Sequence, residues 1–234
     1  MGSTREEVGL RLARPGDAVG IVGVMRRVWP EEAVSLAHLV EVLKKGQRAT
    51  LVAVQGDRIA GLVDCFETWT GAGRRRWEVD LLAVHPDFQG QGIGGRLVAA
   101  GTERGRAWGA VVARALVATD NVASQRTFAR CGYCTDGVEH AVYLSTRPAV
   151  RHSELDARPG ISVSTLRYNG LWVEEPWTIE RLVAAQSVRQ DESLDMVGAV
   201  ISLDDIQGIR SAKQAGFKLV GHYHWWTVEW KDEG

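Results

Sequence analysis

Apolar and polar positions alternate over residues 8–13, which predicts a first strand, and Pro15-Gly16-Asp17 then turns the chain. Asp17 is placed to cap a helix running to about Val28. Val34, Leu36, Ala37, Val40 and Leu43 recur at helical spacing and predict a second helix, ending at Gly46 after Lys44 and Lys45. Residues 50–54 and 59–67 read as strands around a Gln55-Gly56-Asp57 turn. The apolar run 79–84 is short and β-branched, so it reads as another strand, and His85-Pro86 ends it because proline supplies no ladder donor. A helix from Ile93 to about Trp108, a buried strand 111–118, a helix 123–131 and a strand 138–144 follow.

From Thr146 to Gly160 the composition shifts to proline, arginine and other charged residues with little periodicity, the pattern of a linker. Beyond it come two alternating runs around Tyr168-Asn169-Gly170, read as a hairpin with an Asn-Gly turn, and a helix from about Thr178 to Arg189. Residues 200–217 can be laid over residues 116–133 without a gap, so that Asp204, Arg210 and Gly216 fall on Asp120, Arg126 and Gly132. This predicts an internal repeat; chance similarity of two strand–helix–strand units is the competing reading.

Composition narrows the function classes. With 28 basic and 29 acidic residues the net charge is -1, so no overall basic field recruits nucleic acid. The Arg74-Arg75-Arg76 run reads as a solvated hairpin. The odd cysteine count, Cys65, Cys131 and Cys134, argues for a reducing compartment, and Cys131-x-x-Cys134 lacks the other half of a zinc set. His85, His140, His222 and His224 show no ligand spacing, so no metal is expected. The polar first seven residues carry no signal-peptide pattern, and no span approaches the roughly 20 apolar residues needed to cross a bilayer. A soluble, cytoplasmic protein that binds neither membrane nor nucleic acid is predicted.

The chemistry concentrates in residues 77–95. Gln89, Gly90, Gln91, Gly92, Ile93, Gly94 and Gly95 place bare backbone N–H groups at a helix start, where unpaired donors and the helix dipole favour anions. A Walker loop would need Gly-Lys-Ser/Thr, and a dinucleotide fold would place GxGxxG directly after a first strand; neither is present. A structural strand–turn–helix corner is the alternative to a phosphate site. Strict period-two alternation puts Glu78 and Asp80 on one strand face and Val79, Leu81 and Ala83 on the other.

Leu82-Ala83-Val84-His85-Pro86 followed by Gln89-Gly90-Gln91-Gly92-Ile93-Gly94 resembles the signature of the GNAT acyltransferase family. A second element, Asn121, Ser124, Phe128 and Gly132-Tyr133, follows in the family's order, and the likeness covers residues 7–146. It implies an α/β (α+β) fold with a mixed, mostly antiparallel sheet flanked by helices. The chain then divides into a GNAT catalytic domain (residues 1–146), a linker (147–160) and a partial GNAT-like unit (161–234). In that last unit Glu174-Glu175 stands where phosphates would bind, so no cofactor is expected there.

The resemblance further implies an acyl-CoA, usually acetyl-CoA, as acyl donor, with its pyrophosphate on the backbone of residues 90–95 and its pantetheine arm along Leu82, Ala83 and Val84. Asn121 would hydrogen-bond that arm or cap its helix, two compatible roles, with Ser124 and Phe128 beside it. Acyl transfer to an amine requires loss of a proton from a group titrating near ~10.4. Glu78 matches the place of a catalytic glutamate in some relatives; a solvent-facing edge carboxylate is its other reading, and Asp80 is a second candidate base or an orienting group. Many relatives carry a tyrosine acid where this chain has Phe128. The thiolate then leaves without an acid, or Tyr143 or a water serves, or turnover is lost. The predicted function is acetyl transfer from acetyl-CoA to a small-molecule or peptide amine by a monomer or homodimer; the alternative is a CoA-binding sensor or scaffold with little or no turnover.

Overall fold

A computed structural model describes residues 7–148 and 158–230. The chain forms β1 (Gly9–Leu12), a 3₁₀ turn (Pro15–Asp17), α1 (Ala18–Val28), α2 (Leu36–Leu43), β2 (Arg48–Gln55), β3 (Arg58–Trp69) and β4 (Arg75–Val84). A second 3₁₀ turn (Pro86–Phe88), α3 (Ile93–Ala107), β5 (Val112–Ala118), α4 (Val122–Arg130) and β6 (Cys134–Ser145) follow. The remainder forms β7 (Ile161–Ser164), β8 (Asn169–Val173), α5 (Ile179–Asp191), β9 (Met196–Ser202), α6 (Ile206–Gln214) and β10 (Lys218–Glu229).

Two compact units emerge: one of residues 7–115, 123–134 and 226–230, the other of residues 116–122, 135–148 and 158–225. They cut the chain differently from a division at residue 146. The reason is strand pairing, since β6 binds β9 antiparallel from His140↔Ser202 to Ser145↔Val197, and Trp230 N donates to Val111 O at 2.9 Å. Of the predicted linker, residues 149–157 lie outside the described residues.

In the first unit the strand order is β1-β2-β3-β4-β5, antiparallel except for the β4–β5 pair. Helix α3 packs on one face through glycines that permit close approach. A Cβ on Gly105 would lie 2.3 Å from the Trp77 ring, and the Trp77 indole donates to Gly101 O at 2.9 Å. Helix α1 covers the other face through Ile21, Val24 and Met25, all almost fully buried. Asp17 does not cap α1; its carboxylate instead accepts from Arg14 N and, in a two-pronged pair, from Arg11, each at 2.7 Å. Two charge-assisted bonds outcompete one cap bond.

The β3–β4 register jumps from Cys65↔Val79 to Asp64↔Leu81, so Asp80 is an extra residue, a β-bulge. Side-chain parity changes there. Trp77 faces α3, as does Val79, whose partner Cys65 would meet a Cβ on Gly101; past the bulge it is Leu82 and Val84 that reach α3, at Gly94. The strict alternation expected along this strand is therefore wrong beyond Asp80, and Leu81 and Ala83 fall on the Glu78 side. The Arg74-Arg75-Arg76 run is also only partly solvated, because Arg76 is buried.

The second unit orders its strands β6-β9-β8-β7, with α5 and α6 over a core of Tyr143, Leu171, Val173, Leu182, Val197, Ile201 and Phe217. The predicted repeat is sharp. Val112 and Met196, Ala118 and Ser202, Val122 and Ile206, Arg130 and Gln214, Cys134 and Lys218, and Ser145 and Glu229 each lie 84 residues apart. Gly132 (φ 85°) and Gly216 (φ 80°) end the equivalent helices in the same left-handed conformation.

Asn169-Gly170 is not the hairpin turn. Both residues lie in β8, and the loop is residues 165–168, closed by Thr165 N to Tyr168 O at 2.8 Å. The Thr165 hydroxyl accepts from Arg167 N and Tyr168 N, each at 3.1 Å, and this local turn outcompetes the Asn-Gly one. Gly170 instead lets the Tyr168 ring pass 3.1 Å from where its Cβ would stand. Among the described residues no helix is long and apolar enough to cross a membrane, and no three metal-binding side chains converge.

Candidate active site

The segment joining β4 to α3 is held from behind so that its backbone faces outward. His85 Nδ1 accepts from Asp87 N at 3.2 Å, the His85 ring meets Phe88 edge-on at 5.8 Å, and Arg58 lies 4.9 Å over the Phe88 ring. Gln89 Nε2 returns to Val84 O at 3.1 Å. Gly90 (φ 75°) and Gly92 (φ 73°) are left-handed, a conformation that nearly requires glycine here.

The first backbone bond of α3 is Arg96 N to Gly92 O at 3.2 Å, so the N–H groups of Ile93, Gly94 and Gly95 precede the helical ladder, and among the described residues no side chain at the N-cap position caps them. Cβ atoms placed on Gly90, Gly92 or Gly95 would meet nothing within 4 Å. The result is an open cradle of bare peptide donors at a helix N-terminus, a fit for a phosphate group. Gly94 closes the cradle inward, against Leu82, Val84 and Thr127 of α4.

Beside the cradle, the edge of β4 is only partly paired. The parallel β4–β5 ladder comprises Arg76↔Val112, Trp77↔Ala113 and Glu78↔Arg114, and among the described residues no strand continues it along residues 79–84. Leu82, Ala83 and Val84 thus lie on a strand edge that a ligand with amide groups can extend.

Glu78 stands at the end of that ladder. Its carboxylate accepts from Arg114 Nε at 2.9 and 3.0 Å, from Arg76 Nε at 2.8 Å and from the Thr68 hydroxyl at 2.6 Å. Burial alone would raise its pKa, but the Arg114 and Arg76 guanidiniums outweigh it and hold the carboxyl below the usual range. Asp80 is exposed, and its charge reaches the Arg48 guanidinium, which is itself locked on Asp64 at 2.6 and 2.9 Å.

The α4 motif divides. Ser124 is half-buried in the first turn of α4, and Asn121 is exposed just before it, with its N–H on Ala118 O at 3.0 Å; Asn121 is grouped with the second unit. Phe128 is buried and packs edge-on against Tyr133 at 5.1 Å, a core position. Tyr133 donates to the Thr102 hydroxyl at 2.7 Å, because that hydroxyl donates onward to Val98 O. Burial holds the Tyr133 phenol well above its ordinary pKa. Tyr143 lies in the core of the second unit.

In that second unit the equivalent corner is closed. The β8–β9 ladder runs to Val173↔Ala199, the last residue of β8, and Trp177 Nε1 donates to Val173 O at 3.0 Å. The Thr178 hydroxyl caps α5 by accepting from Arg181 N at 3.3 Å.

Sequence reasoning missed the bulge and the partners of Glu78. Arg76, two residues from Glu78 on the same strand face, carried a signal; Arg114 and Thr68 carried none, since only strand register brings them to the carboxylate.

An α/β fold with an open backbone cradle after a partly paired strand edge matches the architecture of GNAT structures. Residues 22–133 match the model of the Acetyltransferase (GNAT) family and are a domain of that family. A GCN5-related N-acetyltransferase from Sphaerobacter thermophilus superposes with a TM-score of 0.60 at 16% identity, over 98% of this chain and 97% of that one. A tandem GNAT protein from the clavulanic acid biosynthesis pathway gives 0.60 at 13% identity, over 95% and 98% of the two chains. A putative acetyltransferase of Salmonella typhimurium, solved with acetyl-CoA, gives 0.51 at 20% identity, over 58% of this chain and 84% of that one. At these identities the likeness is one of fold. No curated protein matches the sequence.

Proposed function

We propose that this protein is an acetyl-CoA-dependent N-acetyltransferase, with the chemistry carried by its first unit. The observation that carries the reading is the bare-backbone cradle of Gly90, Gly92 and Gly95 directly after the unpaired β4 edge. Residues 90–95, Gln91 among them, hold the pyrophosphate with Gln89 beside them, and Leu82, Ala83 and Val84 hold the pantetheine amides. Ser124 is a further donor to that arm. Acetyl-CoA supplies an activated acyl thioester.

The acceptor amine attacks the thioester carbonyl carbon; the C–N bond forms, the C–S bond breaks, and the electron pair leaves on sulfur. Asp80, exposed and outside the regular ladder, receives the amine's proton directly or through water. Glu78, held ionised by two guanidiniums, is the weaker base, and its charge orients the acceptor. Tyr133 is committed to Thr102, so the thiolate takes its proton from water. Three free thiols suit work in the cytoplasm.

A second reading, a CoA-binding sensor, is favoured by one observation: Phe128 sits in the core and offers no acid. Release of free thiol from acetyl-CoA across a panel of amines, paired with calorimetric CoA binding, separates the two. Turnover on any amine supports the enzyme; binding without turnover on every amine supports the sensor.

A further inference from the structure

Glu78 and Arg114 form the last rung between β4 and β5, and their side chains are bonded to each other at that rung. Three strands contribute to the knot: Thr68 from β3, Arg76 and Glu78 from β4, Arg114 from β5. Glu78 and Arg76 are buried, 9% and 7% exposed, while the Arg114 side chain is 22% exposed. Beyond it, β4 runs through residues 79–84 without a further rung to β5. A donor arm lying along that edge therefore ends at a charged floor.

We propose that this Glu78–Arg114 clasp limits the acyl group that the slot accepts, admitting short chains such as acetyl and propionyl and rejecting long alkyl chains. Thr68, Arg76 and Arg114 are positioning residues that act through Glu78. A longer alkyl chain has to press on a carboxylate already buried, and one that loses a donor there is left undercompensated. The inference rests on the reading of the donor as an acyl-CoA.

Calorimetric titration of the full chain with CoA, acetyl-CoA, butyryl-CoA and octanoyl-CoA tests it without need of turnover. Wild type is expected to bind CoA and acetyl-CoA alike and octanoyl-CoA about tenfold or more weakly, a difference of about 1.4 kcal/mol. Arg114→Gln should bring octanoyl-CoA to within about threefold of acetyl-CoA with CoA affinity unchanged, and Arg114→Lys should restore part of the gap. Thr68→Val removes a single donor and should narrow the gap in the same direction, which decides the matter if Arg114→Gln does not fold. CoA binding with equal affinity for all chain lengths in wild type, or an unaltered gap in the folded variants, overturns the clasp alone. No binding of CoA by wild type overturns both the clasp and the acyl-CoA reading.

Discussion

Trp77 stands edge-on to Trp108 with ring centroids 5.1 Å apart, and the channel that admits this pair is a missing side chain, because a Cβ on Gly105 would lie 2.3 Å from the Trp77 ring. The residue next to that buried indole is Glu78, so packing on one face of β4 fixes the strand whose other face carries the charges.

Gly105→Ala should therefore destabilise the protein by about 1–3 kcal/mol, although alanine is the better helix former. Gly95→Ala, with open space at its Cβ, should leave the melting temperature unchanged or raise it. Thermal melts followed by tryptophan fluorescence compare the two; equal melting temperatures would contradict the close approach at Gly105.

Glu78→Gln leaves Arg76 and Arg114 without their shared counter-charge and should cost about 3–5 kcal/mol at neutral pH. The folded pKa of Glu78 lies below its unfolded value of ~4.3, so its contribution is present above that value and lost as pH falls through the lower folded one. Urea melts of the two proteins should thus differ most near pH 7 and converge under strong acid. A gap that is constant with pH would show that the carboxylate's charge is not what stabilises.

Asp80→Asn should lower turnover at neutral pH by about 10²–10⁴-fold if Asp80 takes the amine's proton. Thiol-release rates between pH 6 and 9 check this. An unaltered profile would move the proton acceptor elsewhere.

Gly92→Asp places negative charge and bulk at the cradle and should weaken CoA binding about tenfold or more, even though aspartate is a good helix N-cap. Gly92→Asn, of similar shape and equally tolerant of the left-handed conformation, should lose less. Calorimetry on the two variants separates charge from strain at φ 73°.

Much of this protein was legible along the chain. Gly90 and Gly92, Pro86 and the apolar run before them announce the strand, the break and the helix start through backbone preferences that act within a few residues. The 84-residue recurrence of strand, helix and strand was legible for the same reason, as Gly132 and Gly216 end two helices by one local device. Tertiary structure decided what depends on register. It inserted Asp80 as an extra residue and so reversed the facing of Leu81 to Val84, and it turned Asn169-Gly170 from a turn into a strand beside the Tyr168 ring. It also brought Arg114, distant in sequence, onto Glu78. Local dihedral preference is written in neighbouring residues, whereas register is chosen by the summed packing and hydrogen bonding of strands far apart in sequence, and a shift of one residue there exchanges every face.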